Sequence, residues 1–382
     1  MFKKIPSHIL SAAALCLLAV CAVVVLAREF TGMWQDEPIY PGPGVSAVEK
    51  LSDYFPRLKD SRGDTDIYVL DSGKPGASML VLGGTHPNEP AGFIAALSLV
   101  ERCQPREGIL YVIPRANRSA FTCTDPQEAA PMYFTIETAG GPRVFRFGSR
   151  ATNPIDQWPD REVYVHASSG QTLSGMETRN LNRAYPGLEN GNFTEQIAFG
   201  IASLIREKDI DITIDLHEAS PEYPTINALV SHERAMDVAA WAVMYMQMEG
   251  MQISLEVSPR NLRGLSHREL GDHTDTLAVL FESANASQGR LRGPMSEELI
   301  VKGVDPYYTL ADSYGKLYVS YPASGISLSE RVARHLCGIE QVAVSYNESM
   351  YPKGQVDLGQ LPGYSQLMSE GIGAFLAPPR EL

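Results

Sequence analysis

Short apolar runs that alternate with helical segments most constrain what this chain can fold into. Residues 66–70, 78–82 and 108–113 are rich in Val, Ile and Leu and are bounded by Gly, Pro or charge, which is typical of buried strands. Residues 90–100, between the last two runs, are a predicted helix that Asn88 is placed to cap. This alternation indicates an α/β domain with a mixed, mostly parallel central sheet flanked by helices.

The same alternation continues in the second half of the chain. Asn192 and Glu195 have the spacing of a capping box that opens an amphipathic helix. In residues 210–216 Ile and Leu alternate with polar residues, so a strand is predicted that places Asp215 and His217 on one face. Further predicted elements are a buried strand and two helices, at residues 277–281, 235–248 and 329–342.

The N-terminal segment is a different kind of element. Residues 9–27 are almost uninterruptedly apolar and follow Lys3 and Lys4, and such a run is long enough to cross a hydrocarbon core of about 30 Å. Its small-residue end also resembles a signal-peptide cleavage site. The body of the protein is therefore expected outside the cytoplasm, either membrane-anchored or secreted. The predicted organisation is a signal peptide or signal-anchor helix, a linker and one folded domain, at residues 1–27, 28–45 and 46–382.

Composition and charge narrow the class of protein. With 44% hydrophobic and 20% charged residues, the chain has enough apolar side chains for a substantial core. A formal net charge of −13 argues against a nucleic-acid partner, because phosphate binding needs a basic surface. Cys103, Cys123 and Cys337 lack the paired spacing of a structural zinc cage. They are either buried thiols or include one disulfide, between Cys103 and Cys123.

Two histidines and a glutamate form the most informative candidate site. His86 and Glu89 follow the predicted strand 78–82 through Gly83 and Gly84, and His217 follows another strand. Ligand sites in α/β sheets form at the carboxyl ends of strands. Two imidazoles and a carboxylate are the protein ligands of a catalytic zinc, which keeps a fourth position open. The alternative is a loop histidine beside a solvated carboxylate.

Four further residues have both a functional and a structural interpretation. Asp215 is either a buried, hydrogen-bonded acid or the group that orients His217. Asn182 and Arg183 precede a Pro-Gly loop, where Arg183 is either solvated or grips a substrate carboxylate. Glu282 emerges from a buried strand, which is costly for a carboxylate unless it is paired or functional. Its functional role would be that of a general base.

These motifs together resemble a known family. In order, the motifs are Gly83-Gly84-Thr85-His86-Pro87-Asn88-Glu89-Pro90-Ala91-Gly92, Asn180-Leu181-Asn182-Arg183-Ala184-Tyr185-Pro186-Gly187, Asp215-Leu216-His217 and Phe281-Glu282. Their order and spacing, over residues 66–285, are similar to the succinylglutamate desuccinylase/aspartoacylase branch of the zinc carboxypeptidase superfamily. The resemblance implies a zinc carboxypeptidase-like fold, with His86, Glu89 and His217 as Zn²⁺ ligands. It also implies that Glu282 is the catalytic carboxylate and that Asn182 and Arg183 bind a substrate carboxylate.

The chain departs from the family pattern at two places. Asn180 stands where the family commonly has Asp, which removes a charge beside the loop. The arginine that polarises the scissile carbonyl in the family has two candidates, Arg179 and Arg115, of which Arg179 is included in the predicted catalytic set.

Two further segments have no motif that decides their role. Residues 264–275 are expected in the pocket or at the surface rather than in a second metal site. Residues 287–323 are an insertion that is either a substrate-selecting lid or a surface loop.

The predicted function is a zinc-dependent hydrolase that cleaves an amide bond in a carboxylate-bearing substrate through a metal-activated water. The substrate is either a peptide, for a carboxypeptidase, or an N-acyl amino acid, for a deacylase. The alternative is a catalytically weak, membrane-tethered binding protein that uses the same cleft. A serine hydrolase is disfavoured because the chain lacks a Gly-x-Ser-x-Gly motif. A membrane is a further partner if the N-terminal segment is retained.

Overall fold

The computed structural model describes residues 6–125, 128–349 and 354–380. The chain divides into two compact units, Met1–Glu37 and Pro38–Leu382. The first unit contains one helix, α1 (Ser7–Gly32), none of whose described residues is buried. With a mean hydropathy of 3.0, this helix is long and apolar enough to cross a membrane. It extends beyond residue 27 into the segment predicted as a linker.

The second unit is built on strands. In chain order they are β1 (Ala47–Lys50), β2 (Asp66–Asp71), β3 (Ser78–Leu82), β4 (Ile109–Ile113), β5 (Tyr133–Thr138), β6 (Gly141–Arg146), β7 (Val163–Val165), β8 (Thr172–Ser174), β9 (Ile212–Ala219), β10 (Ala228–Ser231), β11 (Ser254–Val257) and β12 (Leu277–Ala284). Two pairs, β5 with β6 and β7 with β8, form separate antiparallel hairpins.

The other eight strands form the central sheet. Their order is β1-β2-β4-β3-β9-β12-β10-β11. The four central strands β4, β3, β9 and β12 run parallel to one another. Antiparallel pairs β1/β2, β2/β4 and β10/β12 lie on either side of them. The predicted mixed, mostly parallel sheet is therefore confirmed, and its parallel strands bring β3, β9 and β12 side by side.

Helices cover both faces of this sheet. They are α2 (Pro90–Arg102), α3 (Phe193–Glu207), α4 (Met236–Met248), α5 (Ser266–His273), α6 (Glu297–Lys302), α7 (Pro306–Ser313), α8 (Leu328–Glu348) and α9 (Tyr364–Glu370). One apolar core lies between the sheet and α2, α4 and α8. A second core lies on the opposite face, under α3 and α5. Helices α6 and α7 fall within the insertion at residues 287–323.

Strand β3 shows why the sheet is buried on both sides. Met79 and Val81 pack into the first core, whereas Leu80 and Leu82 pack into the second. All four are 0% exposed. A continuous apolar run is what a parallel strand covered on both faces requires, because successive side chains point to opposite faces.

The two predicted helix caps have opposite outcomes. The capping box of Asn192 and Glu195 is confirmed at the start of α3. The prediction that Asn88 caps α2 is wrong, since the residue before α2 is Glu89 and Asn88 instead donates to Asp125. The Glu89 carboxylate does not cap the helix either. The backbone N–H of Ala91, in the first turn of α2, instead donates to the carboxylate of Glu218 in β9, at 2.8 Å.

Candidate metal centre and active-site cleft

A tight turn after β3 carries the chain into the candidate metal centre. Gly84 has φ +62°, and a Cβ at this position would lie 2.7 Å from both the Phe121 ring and the Pro114 carbonyl oxygen. Only glycine accepts this conformation and this close approach. The turn delivers His86 to the carboxyl end of the parallel strands, and Glu89 follows as the residue immediately before α2.

The structure brings His86, Glu89 and His217 together as a buried cluster. One potential ligand atom from each lies within 4.8 Å of the others, and the three residues are 1–2% exposed. His86 Nδ1 is 2.8 Å from Glu89 Oε1, and His217 Nδ1 is 2.9 Å from Glu89 Oε2. Both imidazoles thus present the same nitrogen to one carboxylate.

The hydrogen bonds around Asn180 fix the orientation of the His86 ring. Asn180 Nδ2 donates to Glu177, and its Oδ1 accepts the backbone N–H of Asn182. The same Oδ1 lies 2.7 Å from His86 Nε2, so Nε2 must carry a proton. In neutral His86 the Nδ1 atom then directs a lone pair at a Glu89 oxygen, an arrangement that a cation between the two atoms would stabilise.

His217 has an equivalent but charged support. Its Nε2 is 2.9 Å from Asp215 Oδ2, a carboxylate oxygen that also accepts the hydroxyl of Ser266 at 2.6 Å. Thr85 donates to the other oxygen of Asp215 at 2.8 Å. Asp215 therefore orients the imidazole, as carboxylates behind metal-binding histidines do. Glu89 Oε2 also accepts the backbone N–H of Glu218, which holds it in place.

The ionisable groups of the cluster shift one another's pKa values. Burial, with Arg150 nearby, lowers the pKa of His86 to about 4, so this ring is neutral at physiological pH. Burial opposes ionisation of Glu89, but the two imidazoles outweigh it and hold the pKa of this carboxyl well below its usual range. Burial likewise opposes protonation of His217, but Asp215 and Glu89 raise its pKa. Two nitrogens and one carboxylate fit the donor set that zinc prefers.

Glu282 lies beside the cluster in β12. The parallel pairing of β12 with β9 sets Glu282 opposite His217. Its Oε2 atom is buried and has no hydrogen-bond partner in the described ranges. Burial raises the pKa of Glu282 to about 8. A buried carboxylate without a partner is costly, and such groups are concentrated at functional sites.

Asn182 and Arg183 also line the cleft. A short 3-10 helix, Leu181–Arg183, presents them to it, and Asn182 Oδ1 accepts the backbone N–H of Ser266. Arg183 is 17% exposed in its side chain and donates to the Asn182 carbonyl oxygen. Burial lowers its pKa, but an arginine remains charged at neutral pH. Its guanidinium can therefore meet an anion inside the cleft.

The arginine that contacts the cluster is Arg150, whereas the sequence offered Arg179 and Arg115 as candidates. Arg179 does not line the cleft, since its guanidinium forms a two-point pair with Asp160 at 2.6 and 2.9 Å. Arg115 lies over the rings of Phe93 and Phe121. Arg150 instead donates to Glu89 Oε1 at 2.8 Å, with 42% of its side chain exposed.

No local signal marks Arg150 in the sequence. Arg150 lies in the loop that follows the hairpin of β5 and β6. Asp125 stabilises this loop, because its carboxylate accepts hydrogen bonds from the Ser149 hydroxyl and from the Arg150 backbone N–H. Only the tertiary fold brings this loop over Glu89. Proximity to Glu89 makes Arg150 the arginine best placed to stabilise charge near the cluster.

The cluster opens into a cleft of about 1070 Å³, large enough for a small peptide or an acylated amino acid. The segment 264–275 contributes Leu265 and His267 to its wall, whereas Asp272 pairs with Arg268 away from it. The insertion at 287–323 contributes Gln288, Arg290 and Arg292. That the insertion acts as a lid stays a prediction.

Comparison with known proteins finds similarity in structure only. No protein-family model and no curated protein sequence matches the chain. Similar solved structures include a succinylglutamate desuccinylase/aspartoacylase from Rhodobacter sphaeroides, at 19% identity and TM-score 0.36, covering 57% of this chain and 51% of that one. A metallo-carboxypeptidase from Burkholderia cenocepacia is 10% identical with TM-score 0.46, covering 84% of this chain and 68% of that one.

A third similar structure is the product-bound ectoine utilization protein EutE (DoeB) from Ruegeria pomeroyi, 17% identical with TM-score 0.43, covering 86% of this chain and 74% of that one. The chain spans about half the length of the first of these proteins. The similar structures thus include a desuccinylase/aspartoacylase protein and a metallo-carboxypeptidase. The fold and the site together define an α/β protein with a mixed, mostly parallel central sheet and a candidate His-Glu-His metal centre.

Proposed function

We propose that the protein is a zinc-dependent hydrolase that cleaves an amide bond in a carboxylate-bearing substrate, either a peptide or an N-acyl amino acid. One observation carries the proposal. The Nδ1 atoms of His86 and His217 converge on Glu89, while Glu282, which lines the same cleft, has a buried carboxylate oxygen without a hydrogen-bond partner among the described residues. A buried structural acid would have a partner, whereas a general base must keep one lone pair available.

When bound by these ligands, a zinc ion supplies Lewis acidity and brings the pKa of water toward about 7. The role of Glu282 is to accept a proton from the attacking water at Oε2 and to return it to the leaving nitrogen. Burial raises the pKa of Glu282 to about 8, which suits this role. A carboxyl group whose pKa lies near the working pH can both accept and donate a proton efficiently.

The cationic groups of the cleft have separate roles. Arg150, 2.8 Å from Glu89, stabilises negative charge that develops on the scissile carbonyl oxygen. Arg183, further along the same wall as Asn182, binds the substrate carboxylate through its planar guanidinium. A substrate held at both points has its amide bond near Glu282.

The test combines metal analysis with a substrate panel. Purified protein should contain about one zinc per chain, and a mixture of peptides and N-acyl amino acids should give hydrolysis products identified by mass spectrometry. Glu282→Gln is expected to lower kcat at least about 100-fold and to keep the metal, because only the proton acceptor is lost. Glu207→Gln, an exposed and isosteric change at the end of α3, is the matched control.

Three results would contradict the proposal. A Glu282→Gln variant with nearly unchanged kcat excludes the assigned base. Purified protein that binds no divalent metal excludes the centre. Metal-loaded wild-type protein that binds panel members without cleaving any of them favours the tethered binding protein instead.

We also propose that the hydrolase works outside the cytoplasm, anchored by α1 or released from it. The exposed, apolar surface of this helix supports the proposal, since such a surface is unfavourable in water. Cell fractionation of the full chain tests it, with a chain beginning at Pro38 as the control. Full-length protein found only in the cytoplasm would contradict it.

A further inference from the structure

The carboxylates that line the cleft differ in whether another group binds them. Eight are present. Five are held by hydrogen bonds or ion pairs: Asp125 by Ser149, Glu128 by Arg292, Glu177 by Asn180, Glu218 by Arg331 and Glu222 by Tyr308. Glu89 belongs to the metal centre, and Glu282 is the proposed base. In the ranges that the structure describes, the remaining carboxylate, that of Glu256, has neither a hydrogen bond nor an ion pair.

Strand pairing places Glu256 on the face of the sheet that carries the catalytic groups. Glu282 is opposite His217, Leu280 is opposite Val230, and Val230 is opposite Glu256. Paired residues point to the same face, as do residues two positions apart on one strand, so all five share one face. From strand spacing of about 4.8 Å and a rise of about 3.3 Å, the Cα atoms of Glu256 and Glu282 are roughly 12 Å apart.

The wall between these two carboxylates is apolar. Val230, Leu280 and Leu265 are 1–7% exposed, and all three line the cleft. The nearby imidazole of His267 is bound through Nδ1 to the Ser258 hydroxyl at 2.7 Å. This part of the cleft therefore offers an apolar surface that ends in one partly buried negative charge.

We propose that Glu256 determines specificity by pairing with the cationic end of a substrate side chain, so that the protein cleaves the amide bond of a residue bearing an ammonium or guanidinium group. The proposal rests on the hydrolase function proposed above and names its substrate class. An alkyl stem packs on Val230 and Leu280, and its charged end reaches Glu256. Arg183, whose Nε lies 3.9 Å from Glu177, also lines the cleft and would bind the substrate's carboxylate, so the two ends of a cationic amino acid have separate binding groups.

The experiment compares three N-acetyl-alanyl amino acids that differ only in the final side chain: lysine, norleucine and glutamate. Norleucine has the stem of lysine but no ammonium group, so it isolates the charge. Metal-loaded wild-type protein is expected to hydrolyse the lysine compound about 10–100-fold better in kcat/KM than the norleucine compound. Glu256→Gln should bring this ratio to about one and change the norleucine rate by less than about threefold.

Two further variants make the outcome decisive. Glu256→Lys should invert the preference toward the glutamate compound, while Glu207→Gln should leave every ratio unchanged. A lysine-to-norleucine ratio that survives in Glu256→Gln overturns the assignment of Glu256. Equal wild-type rates on lysine and norleucine overturn the cationic substrate class.

A binding measurement separates this proposal from the hydrolase function. Calorimetry with the Glu282→Gln variant gives the Kd of each compound without turnover. Tighter binding of the lysine compound, lost when Glu256→Gln is added, supports the specificity assignment even if the wild-type protein cleaves none of the compounds. Equal binding of the lysine and norleucine compounds overturns it, whatever the hydrolysis assay shows.

Discussion

Arg331 and Glu218 form an ion pair in which both side chains are 0% exposed, and replacing Arg331 should test how the metal centre is supported. Arg331 Nη1 lies 2.7 Å from Glu218 Oε1, and Arg331 Nη2 donates to the Ile300 carbonyl oxygen. The other oxygen of Glu218 accepts the Ala91 N–H, and the Glu218 backbone N–H donates to Glu89. The pair therefore links α8 to the start of α2 and to Glu89, a candidate metal ligand.

Arg331→Met keeps most of the side-chain length but leaves the Glu218 carboxylate with one neutral donor. Breaking a buried pair in this way costs about 3–5 kcal/mol of unfolding free energy. Burial raises the pKa of Glu218, and Arg331 opposes that shift. Without Arg331 the folded-state pKa rises further above the unfolded value, so the variant loses stability as pH rises through that interval. The loss relative to wild type should thus be larger near pH 8 than near about pH 5.5.

Urea unfolding at the two pH values, followed by circular dichroism, measures this loss. The double variant Arg331→Met with Glu218→Gln should recover part of it, because a neutral amide can still accept from Ala91 and no buried charge remains. A single-variant loss below about 1 kcal/mol at both pH values, or a double variant whose loss equals the sum of the single losses, would refute the reasoning.

Two other substitutions test the metal centre and the packing beneath it. Asn180→Leu removes the acceptor for His86 Nε2 and should weaken zinc binding about 10–100-fold in competition with a chromogenic chelator; an unchanged affinity would show that Asn180 does not support the ligand. Gly92→Ala places a Cβ 2.5 Å from the Leu216 carbonyl oxygen, so thermal unfolding should show a loss of about 1–3 kcal/mol. Gly363→Ala, where a Cβ meets nothing within 4 Å, should cost less than about 1 kcal/mol, and equal losses in the two variants would contradict the packing argument.

The parts of the fold that local patterns determine could be predicted from the sequence. The continuous apolar run of β3 and the capping box of α3 depend on neighbouring residues, and both have the predicted form. Strand β9 was predicted at residues 210–216 but spans Ile212–Ala219. The alternation of apolar and polar residues ends before the strand does, because position 218, on the face of the first core, is a glutamate instead of an apolar residue. Glu218 forms a buried ion pair with Arg331 there. His217 consequently lies within the strand rather than after it.

Groups that depend on distant contacts could not be predicted. Asn88 is of a residue type that commonly caps helices, but its side chain donates to Asp125. The acceptor for the Ala91 N–H at the start of α2 is Glu218, 127 positions away. Arg150 reaches Glu89 from a loop without a motif. Glu256 is an unremarkable acid in the sequence, and only the order of β12, β10 and β11 places it along the cleft.

The two imidazoles of the candidate centre are supported by groups of unlike charge, and this asymmetry bears on its chemistry. Asp215 behind His217 is a carboxylate that strengthens the ring as a ligand, whereas Asn180 behind His86 is an amide with no net charge. With Glu89 and Asp215 as the two negative charges of the ligands and their supports, a divalent cation would make this set neutral. A carboxylate at position 180 would add a negative charge, which would oppose ionisation of Glu282. Compared with a carboxylate at position 180, the amide of Asn180 therefore keeps the pKa of Glu282, the proposed base, from rising further.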